Sequence, residues 1–361
     1  MLPSHGANPQ LLFQQLKIPM PADVIDFSEN VNFAGLPFGI KEQWGNLLPL
    51  IEKYPHPLGE PFLSAISAHH DVQKEHVFVS NGAAEIFSLL ATIWAKKKVI
   101  LIHPTFSEYE ATLKEQQADI IHLQTVDIEN WTLPMQRIRN QMAKAQAIYL
   151  CTPNNPTGVL PPKNQLEEII QLSDRYACYV VLDEAFIDWI GEEHSFISYV
   201  QAHPYLIISR SMTKMYSLAG IRLGYAIAST QMIERLQALA SHWHVNALAA
   251  EIGVQCLQQK EYKDATVIHA KQQRQKFEKV LHRFGCKTTN SLTNYICFQL
   301  PQPEKSRDFY LDMLLRGMVI RHTENYRGLD GQWFRIGIKT SEKMQRLEQE
   351  MGAWFERNGA L

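Results

Sequence analysis

Cysteine is scarce in this chain and carries no pattern. The five cysteines, at 151, 178, 256, 286 and 297, form no CxxC pair and no short regular spacing. That argues against a disulfide framework or a zinc knuckle and leaves them as buried free thiols. An excess of charge of one sign is also missing. The 35 basic residues nearly balance 37 acidic ones, for a formal charge of −2, so no global field recruits nucleic acid or an anionic membrane, and any anion specificity must come from local sites. Long hydrophobic runs are absent: Glu, Asn, Lys or His interrupts every apolar stretch well short of a membrane span, and no Lys or Arg precedes Lys17. These features predict a cytoplasmic protein with no membrane and no nucleic-acid partner. There is no internal repeat and no low-complexity tract. What is present is 361 residues, 45% of them hydrophobic, enough to bury a large core and to form about two domains.

Between residues 75 and 230, short β-branched runs alternate with helical patterns, the signature of βα units around a mostly parallel sheet. The predicted strands are His76–Ser80, Val99–His103, Ile120–Leu123, Ala147–Thr152, Tyr179–Asp183, Leu206–Arg210 and Arg222–Ala228. Several end in polar residues, and in open α/β sheets ligands bind beyond the carboxyl ends of strands. From about residue 237 the pattern changes to a long helical stretch over 231–285, then Asn294–Leu300, a helix near Ser306–Arg316, strands at Met318–His322 and Trp333–Ile338, and a final amphipathic helix. This predicts an N-terminal arm over 1–37, a large α/β domain over 38–236 and a smaller α+β domain over 237–361. Five prolines among the first forty residues, at 3, 9, 19, 21 and 37, predict an arm with limited structure of its own.

Four segments carry chemistry. Ser211-Met212-Thr213-Lys214 follows the apolar run at 206–208, with Arg222 eight residues after the lysine. A lysine after a strand is by itself a surface charge, but this company lets a loop direct a hydroxyl, a guanidinium and an amine toward one phosphorylated aldehyde. Tyr179–Asp183 ends a buried-type strand in a carboxylate, which either caps a turn or keeps a pyridine nitrogen protonated. Strand alternation favours Asp183 over Glu184 for that role. Asn154-Asn155-Pro156-Thr157-Gly158 reads as a turn, in which an amide held between prolines can donate to a ring oxygen. In Ser80-Asn81-Gly82-Ala83, a strand breaks into a small-residue turn that opens a helix, where free N–H groups bind phosphate.

In this order and spacing the four segments resemble the fold-type I enzymes that use pyridoxal 5′-phosphate, an α/β transferase fold. The resemblance implies that Lys214 carries the cofactor as a Schiff base, Asp183 pairs with the ring nitrogen and Asn155 contacts the ring hydroxyl. It also implies that Ser211, Arg222 and the backbone at Gly82 and Ala83 hold the phosphate. Tyr54, in Glu52-Lys53-Tyr54-Pro55, matches a tyrosine that reaches the phosphate of a neighbouring subunit, which implies a homodimer with shared active sites.

Within that family the chain is most similar to histidinol-phosphate aminotransferases and to threonine-phosphate decarboxylases of cobalamin biosynthesis. Three segments resemble the latter: His5-Gly6-Ala7-Asn8, Asp26-Phe27-Ser28-Glu29-Asn30-Val31-Asn32, and Asp183-Glu184-Ala185-Phe186, whose phenylalanine replaces a tyrosine common in the aminotransferases. Phe33 stands where the decarboxylases have proline, and Ala7 where they have a second glycine. The resemblance implies a phosphorylated amino acid as substrate, its carboxylate near Arg335 and Asn155, its phosphate near Arg321, His5, Gly6 and Asn30, with the two arginines interchangeable. It implies decarboxylation of O-phosphothreonine, with transamination of histidinol phosphate or a related amino acid as the alternative. A metal centre prompted by His69-His70 or His242-Trp243-His244 has no matching Cys or carboxylate pattern, and none is expected.

Overall fold

A computed structural model describes residues 6–359. Thirteen strands occur among them: β1 (Ile25–Asp26), β2 (Val77–Ser80), β3 (Lys98–His103), β4 (Asp119–Gln124), β5 (Ala147–Cys151), β6 (Tyr179–Asp183), β7 (Leu206–Ser211), β8 (Gly224–Ile227), β9 (Lys287–Thr288), β10 (Tyr295–Gln299), β11 (Met318–Val319), β12 (Arg321–His322) and β13 (Trp333–Gly337). Seven of them form the main sheet in the order β2-β8-β7-β6-β5-β3-β4. β3 to β7 run parallel, and β8 is antiparallel to both of its neighbours. The central strands are buried along their whole length. Their alternate residues enter different cores: Ile148, Leu150, Val180, Leu182 and Ile208 pack on one face, while Tyr149, Cys151, Val181 and Ile207 pack on the other. This is why the strands read as unbroken apolar runs.

A second, four-stranded antiparallel sheet, β12-β13-β10-β9, rests on the helices Ser306–Leu315 and Ser341–Arg357 through Ile296, Phe298, Phe309, Leu347 and Phe355. The helical stretch expected over 231–285 is three helices, Thr230–Leu239, Ala247–Leu257 and Lys260–Arg283. Ala249, Ile252 and Cys256 of the second pack into the large core, so the change of core does not fall at residue 237. It falls inside the third helix, where Ala270 joins the large core and Phe277 and Leu281 the small one.

The N-terminal segment is more structured than its prolines suggest. Pro9 begins the helix Pro9–Leu16, whose first amide groups need no intrahelical partner, and the side chain of Asn8 caps it by accepting from the Leu11 amide at 3.3 Å. Leu12, Phe13 and Phe27 are buried in the small core, and β1 pairs in parallel with β11. The segment after β1 then crosses β13: the Gly337 amide donates to the Phe27 carbonyl at 2.7 Å. A Cβ at Gly337 would meet the Glu29 carbonyl oxygen at 2.2 Å, so only glycine allows this approach. Gly337→Ala is therefore expected to destabilise the protein by about 1–3 kcal/mol, read as a lower urea midpoint, and to expose residues 20–32 to proteolysis.

Candidate active site

A cavity of about 320 Å³ opens at the carboxyl ends of the main strands, facing the small sheet. Lys214 lies in its wall, just after β7. The lysine backbone is pinned from the N-terminal segment: the Asn32 amide donates to the Lys214 carbonyl at 2.9 Å, and the Asn32 side chain donates to the Met215 carbonyl at 2.8 Å. Ser217 closes the loop by donating to the Asn32 carbonyl at 2.8 Å. What remains accessible of Lys214 faces the cavity. Burial, with the guanidinium groups of Arg335 and Arg222 adding to it, pushes its ammonium down to about 8. At pH 7 roughly a tenth of such a lysine is the free amine, against roughly one part in three thousand for an unperturbed one. It is poised as a nucleophile.

Asp183 ends β6 opposite Cys151 and Ser209. It is 4% exposed and accepts from the Ala185 amide at 3.0 Å and from the Tyr109 hydroxyl. Burial raises this carboxyl to about 6, although the Tyr109 hydroxyl opposes the shift. A cation brought against it would recover the ionised form. The next residue, Glu184, points to the other face, where it accepts from Arg210 at 3.0 Å and from the Phe196 amide at 2.9 Å.

Gly82 does not itself line the cavity but sits behind the lining residues Ala83 and Arg222; it has φ +78°, and a Cβ there would meet the Arg222 guanidinium at 2.7 Å. Ala83 and Ala84 begin the helix Ala83–Ile93, whose N-terminus faces the cavity beside Ser211, Thr213 and Arg222. Bare backbone N–H groups, hydroxyls and a guanidinium form an anion cradle.

The opposite wall is cationic. Arg321 on β12 and Arg335 on β13 are directly paired across the antiparallel ladder, 2% and 5% exposed, an arrangement in which like charges repel. Arg335 donates to the Asn155 side-chain oxygen at 2.5 Å and to the Ser28 carbonyl at 2.6 Å, while its Nε has no hydrogen-bond partner among the described residues. Because Arg335 holds the oxygen of Asn155, the amide nitrogen of Asn155 is left to donate elsewhere. Arg321 donates to Asn325 at 2.8 Å and contacts His322 at 2.8 Å. Gly6 and Ala7 line the same cavity and pack on Ser28: the Ala7 amide donates to Ser28 Oγ at 3.0 Å, and a Cβ on Gly6 would strike the Ser28 carbonyl oxygen at 2.6 Å. Asn30 also lines the cavity, with its side-chain oxygen buried and unpartnered among the described residues.

The cavity therefore brings together Gly6, Asn30, Ala83, Asn155, Asp183, Ser211, Lys214, Arg222, Arg321 and Arg335. His5 lies outside the described residues. Tyr54 does not reach the cavity of its own chain: it is 82% exposed, its ring 4.8 Å from that of Trp243. Tyr109, Glu29, Phe106 and Tyr326 were not foreseen. Tyr109 sits in the helix that leaves β3, and only the strand order, which puts β3 next to β5 and β5 next to β6, brings it to Asp183.

A strand-end carboxylate, a desolvated lysine and an anion cradle around one cavity define a cofactor-dependent enzyme of α/β fold. The chain belongs to the class I and II aminotransferase family, whose model matches residues 23–350. It is 30% identical to threonine-phosphate decarboxylase of Salmonella typhimurium over 346 residues, 95% of this chain and 94% of that one. It is 28% identical to histidinol-phosphate aminotransferase of Methanococcus aeolicus over 332 residues, 91% and 89% of the two chains. Among solved structures, histidinol-phosphate aminotransferase from Clostridium acetobutylicum superposes with a TM-score of 0.86 at 24% identity, covering 92% of this chain and 99% of that one. L-threonine-O-3-phosphate decarboxylase from Porphyromonas gingivalis does so with a TM-score of 0.82 at 22% identity, covering 91% and 99%. These likenesses establish the fold-type I architecture.

The cofactor is pyridoxal 5′-phosphate, and the residues present fit it. The buried Asp183 carboxyl suits its ring nitrogen, the helix N-terminus at Ala83 with Ser211 and Arg222 suits its phosphate, and Lys214, pushed down to about 8, suits condensation with its aldehyde. Two outcomes follow. Attachment of the cofactor to apoprotein, read by borohydride trapping, is expected to accelerate about tenfold per pH unit toward pH 8 and then level off as Lys214 deprotonates. Tyr109→Phe removes a donor to the ionised Asp183, so it should raise that carboxyl further and weaken cofactor binding by about 1.5–3 kcal/mol, measured by fluorescence titration.

Proposed function

We propose that this enzyme decarboxylates L-threonine O-3-phosphate to (R)-1-amino-2-propanol O-2-phosphate, a reaction of cobalamin biosynthesis. The observation that carries the reading is the buried Arg321–Arg335 pair in a cavity that Gly6, Ala7 and residues 28–31 also line. One small substrate bearing a carboxylate and a phosphate satisfies two adjacent buried cations, and arginine holds both anions with geometric control. In this reading Arg335, beside Asn155, takes the carboxylate, and Arg321, with His5, Gly6 and Asn30, takes the phosphate. Phe186, buried at the cavity wall, offers no hydroxyl to the cofactor ring.

Ser211, Arg222 and the backbone at Gly82 and Ala83 would hold the cofactor phosphate, Asn155 its ring hydroxyl and Asp183 the proton on its ring nitrogen. Tyr54, exposed on its own chain, would complete the phosphate site of a second copy in a homodimer. The bound cofactor supplies an electron sink for the pair released at Cα. Arg335 would hold the substrate carboxylate and so align the bond from Cα to that carboxylate as the one to break. CO₂ leaves, its bonding electrons stay behind, and Lys214 delivers a proton to Cα.

The second reading, transamination, rests on the similar identity to histidinol-phosphate aminotransferases. In that reaction the Cα–H bond is aligned instead, and Lys214 moves that proton. Holoenzyme given O-phospho-L-threonine is expected to release CO₂ with no 2-oxo acid present, and Lys214→Ala to abolish both turnover and borohydride trapping. Turnover that requires 2-oxoglutarate would establish the aminotransferase.

A further inference from the structure

Away from the cavity, three ligand-type side chains from three elements converge. His103 stands at the carboxyl end of β3, His122 on the edge strand β4, and Glu110 on the helix Ser107–Glu115. One donor atom from each lies within 4.8 Å of the other two. In the parallel pairing of β3 with β4, His122 is opposite Leu101, two residues before His103, so both imidazoles emerge on the same face. His103 Nε2 and His122 Nδ1 are 2.9 Å apart, and neither ring makes another hydrogen bond among the described residues.

A pair of neutral histidines sharing one proton would explain that distance alone. Three further features point to a ligand. A zinc-like ion lies about 2.0–2.1 Å from an imidazole nitrogen, which sets two such nitrogens about 2.9–3.4 Å apart for right-angled to tetrahedral geometry. The pair already has that spacing. A carboxylate stands beside it, and its ion-pair partners, Lys114 at 2.6 Å and Arg327 at 3.5 Å, both approach Oε1 from side chains that are 64% and 51% exposed and free to swing away. His122 and Glu110 are partly exposed, so an ion has a route in from solvent.

We propose that His103, His122 and Glu110 bind one divalent transition-metal ion of the zinc, cobalt or nickel class, with water completing the coordination. The proton between the rings moves to the outer nitrogen of the ring that carries it, a change of tautomer with no net release. The ion is not part of the reaction. The adjacent pairs at 69–70 and 242–244 are less suited: His70 contacts the Tyr225 hydroxyl at 2.7 Å and His244 the Glu85 carboxylate at 2.8 Å.

The test is calorimetric titration of zinc chloride into tag-free, chelator-dialysed holoenzyme. One saturable ion per chain is expected. His122→Gln should weaken it by at least about tenfold, while His122→Cys, which restores a ligand, keeps it; unchanged cofactor absorbance and thermal melting show that both variants are folded. No saturable binding by the wild type, or equal binding by wild type and His122→Gln, would overturn the proposal.

Discussion

The buried contact between Arg210 and Glu184 is the constraint on which the site depends. Arg210, next to last in β7, and Glu184, just after β6, are 3% and 0% exposed in their side chains and meet at 3.0 Å. Glu184 follows Asp183 and Arg210 precedes Ser211, so the pair fixes the chain at the two points where strands hand over to chemistry. Charges this deep are tolerated only when every partner is present. Here burial raises Glu184. The network extends to Glu192, which Arg210 holds at about 2 against the opposing effect of burial. Asp188 and Lys263 complete it, the latter pair at 2.5 Å.

Lys263 lies in the Lys260–Arg283 helix, so the network also anchors the element that joins the two cores. Near the same helix, Asn32 donates to the Tyr262 hydroxyl at 2.8 Å while its backbone amide holds the lysine loop. One segment thus carries the cavity-lining residues Ser28 to Val31 and, at its next residue, a strap on Lys214. The two walls of the cavity are mechanically joined. Arg335, bonded to both Asn155 and the Ser28 carbonyl, makes the same connection across the cavity.

The family places the enzyme among those in which the cofactor does the electronic work and the protein selects the bond. In the cavity both Lys214 and Asp183 owe their shifted acidity chiefly to desolvation. On the other wall β12 and β13 set two arginines side by side, and on the proposed reading the choice of substrate belongs there.

What the sequence determined by itself is what local order can encode. Ser211, Lys214 and Arg222 share one loop, the main strands are continuous apolar runs, and Asp183 and Glu184 part by the period of a strand. Each of these depends on neighbours in the chain. Tertiary structure decided the rest. Tyr109 meets Asp183 across 74 positions, and Asn32 meets Lys214 only because the N-terminal segment crosses the molecule. The prolines of that segment misled because Pro9 begins a helix rather than breaking one, and the break in core falls within one unbroken helix, where periodicity has no mark to leave. Pairings across sheets and between cores are settled by burial, which no spacing along the chain records.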